Sequence, residues 1–487
     1  MSHIGKSNTT LTGLMWAYGE RITAQLVSFI VSLILARLLS PENFGTVAII
    51  NIVITILNVF VSHGLGNALV QKRDSDDLDF STVFYCSVVL SIAIYIFIYF
   101  LAPFISLYYN TPSLTKLTRV LALRIPIASI NTVQHAFVQK KMQFEKFFFS
   151  TLLGTIISAF VGIVMAYNNF QEWSIVFQYL TNVIIDTIVL FFTISWKPKL
   201  QFSFERLKKL LPFGMNVLLT SLASTTYQQI RSVIIAKKYG SADLAYYDRG
   251  IKFPSIIIDN LNSSITKVLF PAFSKIQDDK DRVKNSVRLM VNVTAFLIFP
   301  MLVGFIVLSR PFVLLILTSK WVQSVPFIKV FCVSYMLIPI QNLYLQALLS
   351  LGYSKITLNL EVIKELFGLI VLFLAIVLYN TPLAIAYGFL LNQLFGLVIN
   401  NFANRKYYNY SFKEQFSDFM PAACLSLLMA AIIWPISFMH LSYAMIITAQ
   451  LLFGIIIYVA GAKIFKFKAY SFILSKIKNI KNRIHNV

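Results

Sequence analysis

RGIKFPSIIIDNLNSSITKVLFPA, residues 249–272, is the stretch on which the architecture of this chain turns. It is long enough to cross a bilayer, yet it carries Lys252, Asp259, Asn260, Asn262, Ser263, Ser264 and Lys267. Its polar residues fall at helical spacing: Lys252, Ser255, Asp259, Asn262/Ser263 and Thr266 make one stripe, and Ile256, Ile257, Leu261, Ile265 and Val268 make the other. A stripe of that kind is compatible with a spanning helix only if it faces protein or water, because lipid cannot hydrogen-bond it. Whether the segment crosses is decided by what flanks it.

On both sides the chain is built of apolar blocks about twenty residues long, the length that spans a hydrocarbon core. The 487 residues are 57% hydrophobic and 13% charged, with a mean hydropathy of +0.73, whereas soluble domains carry about 25% charged residues. The blocks place spans near 12–36, 46–69, 81–106, 118–138, 148–167, 173–195, 211–236, 249–272, 288–308, 325–350, 357–379, 382–403, 418–438 and 441–463. A β-barrel would instead show short alternating segments. No signal-peptide pattern precedes the first span. Cys86, Cys332 and Cys424 lie far apart in apolar segments and read as reduced packing residues.

Basic residues alternate from loop to loop. The two tails, with Lys463 counted in the second, and the connections 71–80, 139–147, 197–209, 275–284, 351–356 and 404–415 hold 26 of the 42 Lys and Arg. The opposite connections hold only Arg37, Lys116, Arg119, Lys237, Lys238, Arg310 and Lys320. The positive-inside rule then puts both termini in the cytoplasm. It also puts 197–209 and 275–284 on one side, so two crossings separate them and 249–272 must span. The net charge of +22 is thereby explained by topology, and no nucleic-acid partner is called for. The basic stretch 465–487 suits anionic lipid.

SLILARLLSPENFGTV (32–47) aligns without gaps on SVIIAKKYGSADLAYY (232–247), each at the outward end of the first span of a six-span block. The expected fold is an all-α polytopic membrane protein of about fourteen helices. It comprises two six-helix lobes in parallel repeat (1–200 and 201–404), helices 13 and 14 (405–464) and a cytoplasmic tail (465–487). Tyr18, Arg21, Gln25, Ser28 and Ser32 share one face of span 1. Ser221, Thr225, Gln228 and Ser232 repeat it in span 7, with Asn216, Thr220, Ser224 and Arg231 beside them. Small polar residues of this kind also serve as helix–helix glue.

Charges at membrane depth are costly and usually paired or functional. Glu361, Lys364 and Glu365 can pair within a turn, and Asp248 with Lys252. Arg21, Arg231, Arg249 and Lys252 exceed their local acids. They point to a cationic cavity for an anionic headgroup, since a guanidinium fork suits phosphate. Asp186, Asp259 and Glu361 are candidates for proton or sodium coupling. The histidines have no metal-ligand spacing, and no nucleotide-binding or hydrolase motif occurs. These features favour a secondary transporter over an enzyme, with no cofactor.

LARLLSPENFG (35–45), GLGNALVQKRD (64–74), STVFY (81–85), QKKMQFE (139–145), LAYYDRGIKFPSII (244–257), LFPAFSKIQDD (269–279) and QALLSLGYSK (346–355) together resemble the Wzx-type polysaccharide flippases. The likeness is to the colanic-acid-exporter-like branch of the multidrug/oligosaccharidyl-lipid/polysaccharide superfamily. It implies a two-lobed fourteen-helix fold with a cationic cavity in the bacterial inner membrane. It also implies ion-coupled transfer of an undecaprenyl-diphosphate-linked oligosaccharide to the periplasmic leaflet for cell-surface polysaccharide. A polymerase and glycosyltransferases of the same pathway are the implied partners. The family's YxRA-like stretch reads YDRG here (Tyr247–Gly250), so Arg249 carries over with an acid before it that partly neutralises it. The rival reading is a cation-coupled multidrug antiporter of the same superfamily, whose cavity would favour acids.

Overall fold

Each apolar block becomes a helix whose ends are set by local capping chemistry. At the first turn of the 41–62 helix, Ser40 and Asn43 bond reciprocally: Asn43 Oδ1 accepts the Ser40 N–H at 3.1 Å, and Ser40 Oγ accepts the Asn43 N–H at 3.3 Å. Pro41, at the first helical position, needs no N–H there. Asp76 and Asp79 form a full capping box at the next long helix, and Ser411 with Glu414 forms another.

The computed structural model describes residues 19, 23–62, 64–72, 74–141 and 143–475, without the side chains of 144, 260, 261 and 263–272. Arg21 lies outside the described residues. The helices are α1 (Thr23–Leu38), then α2 (Pro41–Ser62), α3 (Leu65–Gln71), α4 (Asp77–Tyr109), α5 (Leu114–Leu121), α6 (Arg124–Lys141), α7 (Phe144–Tyr167) and α8 (Glu172–Thr193). They continue as α9 (Phe204–Lys238), α10 (Ser241–Ser274), α11 (Lys280–Ile316), α12 (Val325–Ser350), α13 (Ser354–Leu378), α14 (Pro382–Tyr408), α15 (Phe412–Ile433) and α16 (Tyr443–Ile464). No strand occurs among the described residues.

With α3 and α5 set aside as short connectors, fourteen long helices remain, one on each expected span. Nine described stretches are long and apolar enough to cross a membrane on length and composition alone. The other five helices, α1, α6, α9, α10 and α13, are shorter or more polar or charged. The fold is thus an all-α polytopic membrane protein of about fourteen transmembrane helices. Residues 249–272 lie within the 34-residue α10.

The chain divides into two compact units, Met1–Ala245 and Tyr246–Val487. In the first, Leu69, Phe80, Val83, Val133, Leu190, Trp196 and Leu210 form a buried core among α3, α4, α6, α8 and α9. Also in this unit, α2 meets the start of α10 so closely that a Cβ on Gly45 would lie 1.8 Å from the Ser241 carbonyl oxygen. Only glycine permits that approach. In the second unit, Arg288 of α11 clamps α15. Its Nε and Nη2 donate to Asp418 at 2.8 and 3.1 Å, and its Nη1 to Glu414 at 3.2 Å. The three cysteines are free thiols, but Cys424 is exposed, so only Cys332 is fully a core residue. An outward-facing Cys on a membrane-crossing helix can contact lipid, which hydropathy alone does not separate from packing.

Candidate functional site

In the first unit the candidate cationic group sits on α9. Asn216, Thr220, Ser224 and Gln228 recur every fourth residue along this helix and are all exposed. On a membrane-crossing helix such a face requires water or polar partners. Arg231, a turn further on, is 6% exposed. Its Nη2 donates to the Tyr227 hydroxyl at 3.0 Å, and the guanidinium carbon lies 5.0 Å from that ring's centre. The aromatic ring offsets part of the desolvation of a buried cation.

The start of α9 is fastened by an ion network. Asp79, whose side chain is fully buried, takes Lys72 at 2.5 Å and Arg206 at 3.6 Å. Arg206 also reaches Asp76 at 3.3 Å, and Lys199 pairs with Asp77 at 2.6 Å. The Ser203 N–H donates to Thr82 Oγ1 at 3.1 Å. Lys140, from the end of α6, donates to the Lys72 carbonyl at 2.6 Å and to Ser75 Oγ. The Asp76 carboxyl is held below its ordinary value, first by the Asp79 backbone N–H that it accepts and then by the charges of Arg206 and Lys72.

Asp186, on α8, lies against α6. Its Oδ2 accepts from Asn131 Nδ2 at 2.9 Å and faces His135 Nε2 at 3.4 Å. Asn131 Nδ2 also donates to Thr187 Oγ1 at 3.1 Å, and Thr187 passes its own proton to the Val183 carbonyl at 2.7 Å. The His135 ring stacks on Phe147 of α7, centroids 4.7 Å apart and planes at 25°. Asn131 and His135 are the residues that the sequence reading missed. Their only signal was a polar pair one turn apart in α6, and nothing tied it to a carboxylate 51 residues beyond His135.

In the second unit the predicted residues separate. Lys252 and Asp259 lie exposed along α10, with Ser255 and Asn262 half-buried between and beyond them. Phe253 and Ile258 are buried on other sides of the helix, and Asn342 Nδ2 donates to Asn262 Oδ1 at 3.0 Å. Arg249 is 8% exposed, its guanidinium carbon 5.1 Å over the ring of fully buried Trp321. Beside it a Cβ on Gly250 would come within 2.4 Å of Phe327 Cβ. Arg249 is thus packed on the short turn that precedes α12. Glu361 is engaged locally, both of its oxygens 3.0 Å from Lys364 Nζ.

Residues 34–326 match the family model described as polysaccharide biosynthesis protein. The chain belongs to that family. The expected likeness to Wzx-type polysaccharide flippases is thereby borne out at family level. Similar proteins include an uncharacterized membrane protein in the cps region of Klebsiella pneumoniae, 25% identical over 403 residues that cover 81% of each chain. The lipopolysaccharide biosynthesis protein WzxC of Escherichia coli K12 is 23% identical over 399 residues, covering 81% of this chain and 80% of WzxC. The succinoglycan biosynthesis transport protein ExoT of Rhizobium meliloti is 24% identical over 328 residues, covering 67% and 66%. In fold, the chain is similar to the lipid II flippase MurJ in its inward closed conformation, with a TM-score of 0.73, 18% identity, and 93% of this chain and 98% of MurJ covered. It is less similar to an inward-facing multidrug resistance MATE family transporter, with a TM-score of 0.60, 16% identity, and 78% and 94% covered.

Proposed function

We propose that this protein is a flippase that moves an undecaprenyl-diphosphate-linked oligosaccharide from the cytoplasmic to the periplasmic leaflet of the bacterial inner membrane, for cell-surface polysaccharide synthesis. The observation that carries the reading is the buried guanidinium of Arg231, held on Tyr227 beyond the exposed polar face of α9, in a member of this family. A diphosphate offers such a fork two oxygens at once. In the same unit Arg21 supplies further positive charge; in the second unit Lys252 is exposed on α10 and Arg249 packs on Trp321. Transport runs by alternating access of two six-helix lobes, 1–200 and 201–404, with both termini cytoplasmic. Ion movement supplies the drive, with Asp186, Asp259 and Glu361 as the acids available. No step makes or breaks a covalent bond, so the protein acts as a transporter, not an enzyme. The polymerase and glycosyltransferases of the pathway are its functional partners.

The test is Arg231→Ala against Arg231→Lys, scored by surface polysaccharide at matched membrane expression. Loss of a charged hydrogen bond to phosphate costs about 2 kcal/mol, roughly thirtyfold in affinity. Polysaccharide should fall strongly with Ala and recover in part with Lys. Wild-type polysaccharide from the Ala variant would rule out the cationic site.

A further inference from the structure

Asp186, one of the three candidate coupling acids, has a built surrounding. It lies on a membrane-crossing helix, with its side chain 16% exposed. Oδ1 is buried with no hydrogen-bond partner among the described residues, and Oδ2 is shared by the Asn131 amide and the His135 ring. No Lys or Arg among the described residues pairs with it. A lone carboxylate so placed is costly, so the site calls for a counter-charge that comes and goes.

The donor pattern says which one. Thr187 gives its proton to the Val183 carbonyl, so its Oγ1 can only accept from Asn131. That fixes the Asn131 amide with its NH2 turned toward Thr187 and Asp186. A metal cation at Oδ2 would therefore meet N–H hydrogens from Asn131 and an imidazole nitrogen, where hard cations take oxygens. A proton fits this geometry. Histidine is the side chain that ordinarily exchanges one near neutrality. The His135 side chain keeps 36% of its surface open, while Phe147 fixes its plane with Nε2 toward Oδ2.

We propose that His135 and Asp186 form a one-proton site, and that the proton is the ion coupled to transport. The coupling half rests on the flippase reading above; the proton-binding half does not. Unloaded, the pair carries one negative charge, with Nε2–H donating to Oδ2. A proton taken up at Nδ1 gives an imidazolium beside the carboxylate, and the pair is neutral. Transfer within the pair breaks Nε2–H and makes Oδ2–H, leaving the charge unchanged. Other ionisable groups nearby are engaged elsewhere. Arg124 of α6 lies over the Tyr179 ring, Lys140 turns to Lys72 and Ser75, Lys141 lies over the Phe137 ring, and Asp79 of α4 holds Lys72. From α7 the pair is met by Phe147 and Gly154, and neither Glu145 nor Lys146 bonds to it.

The experiment has two arms. In proteoliposomes with a fluorescent polyprenyl-diphosphate-linked oligosaccharide, one unit of imposed pH gradient should shift the final ratio of flipped to unflipped lipid about tenfold for one proton per cycle. A sodium gradient should leave it unchanged. In Asp186→Asn and His135→Gln the ratio should ignore the pH gradient. A ratio that follows sodium in the wild type, or pH in either variant, would overturn the coupling. The second arm needs no cargo. In nanodiscs at fixed pH, the 15N ring signals of His135 should differ between wild type and Asp186→Asn, because the variant removes the carboxylate that Nε2 faces. Identical signals sink the pair. Different signals in a protein that never moves the lipid sink the flippase reading and leave the pair standing.

Discussion

Replacing Asp79 with Asn isolates the network that fastens the start of α9. The carboxylate is fully buried and holds Lys72 at 2.5 Å, Arg206 at 3.6 Å and the Asp76 N–H at 3.1 Å. Asparagine keeps the shape and an acceptor for the Asp76 N–H, so the cap persists and only the charge is lost. Removing one partner of a buried pair costs about 3–5 kcal/mol. The low end applies, because Lys72 and Arg206 are 26% and 35% exposed and can turn partly to water. In a unit of this size, about 3 kcal/mol lowers the melting temperature by about 6–12 °C. Thermal unfolding in nanodiscs, followed by tryptophan fluorescence, reads this locally, since Trp196 lies 5.7 Å from Phe80 in the adjoining core. Asp79→Asn combined with Lys72→Met removes both charges and should regain much of the loss. A single variant melting within a degree of wild type, or a double variant as low as the two singles summed, would refute the reasoning.

Asp76 provides a pH test. Its folded carboxyl lies below its unfolded value, so its contribution is complete above about pH 4 and is lost as pH falls through the folded value. Melting should be level in this respect from pH 7 to 5 and decline below 4, and Asp76→Asn should remove part of that decline while melting lower at neutral pH. Gly45→Val places carbon where the Ser241 carbonyl oxygen stands. A loss of about 3 kcal/mol or more is expected, seen as poor yield and a broadened size-exclusion peak; a monodisperse variant at wild-type yield would contradict the packing.

Much of the fold was legible in the sequence because spanning is a local sum. Twenty apolar residues either suffice or do not, whatever lies elsewhere in the chain. The polar 249–272 segment needed one further rule, the alternation of loop charge, and it lies within α10. The site was legible in part. Arg231 and Asp186 stood out as charges at membrane depth. Glu361 was open to either reading, a coupling acid or a local partner of Lys364, and the structure shows the pairing; Arg249 looked promising until its packing on Trp321 was seen.

The sequence by itself determined the class, the approximate number and positions of the spans, and the family. Each follows from residues close along the chain or from patterns summed over it. Only the tertiary structure decided that Asn131 and His135 meet Asp186, and that Asp79 is buried between Lys72 and Arg206. Those meetings depend on which face each helix turns to its neighbour. A charge or an amide carries no mark in the sequence of the partner across the bundle that will satisfy it.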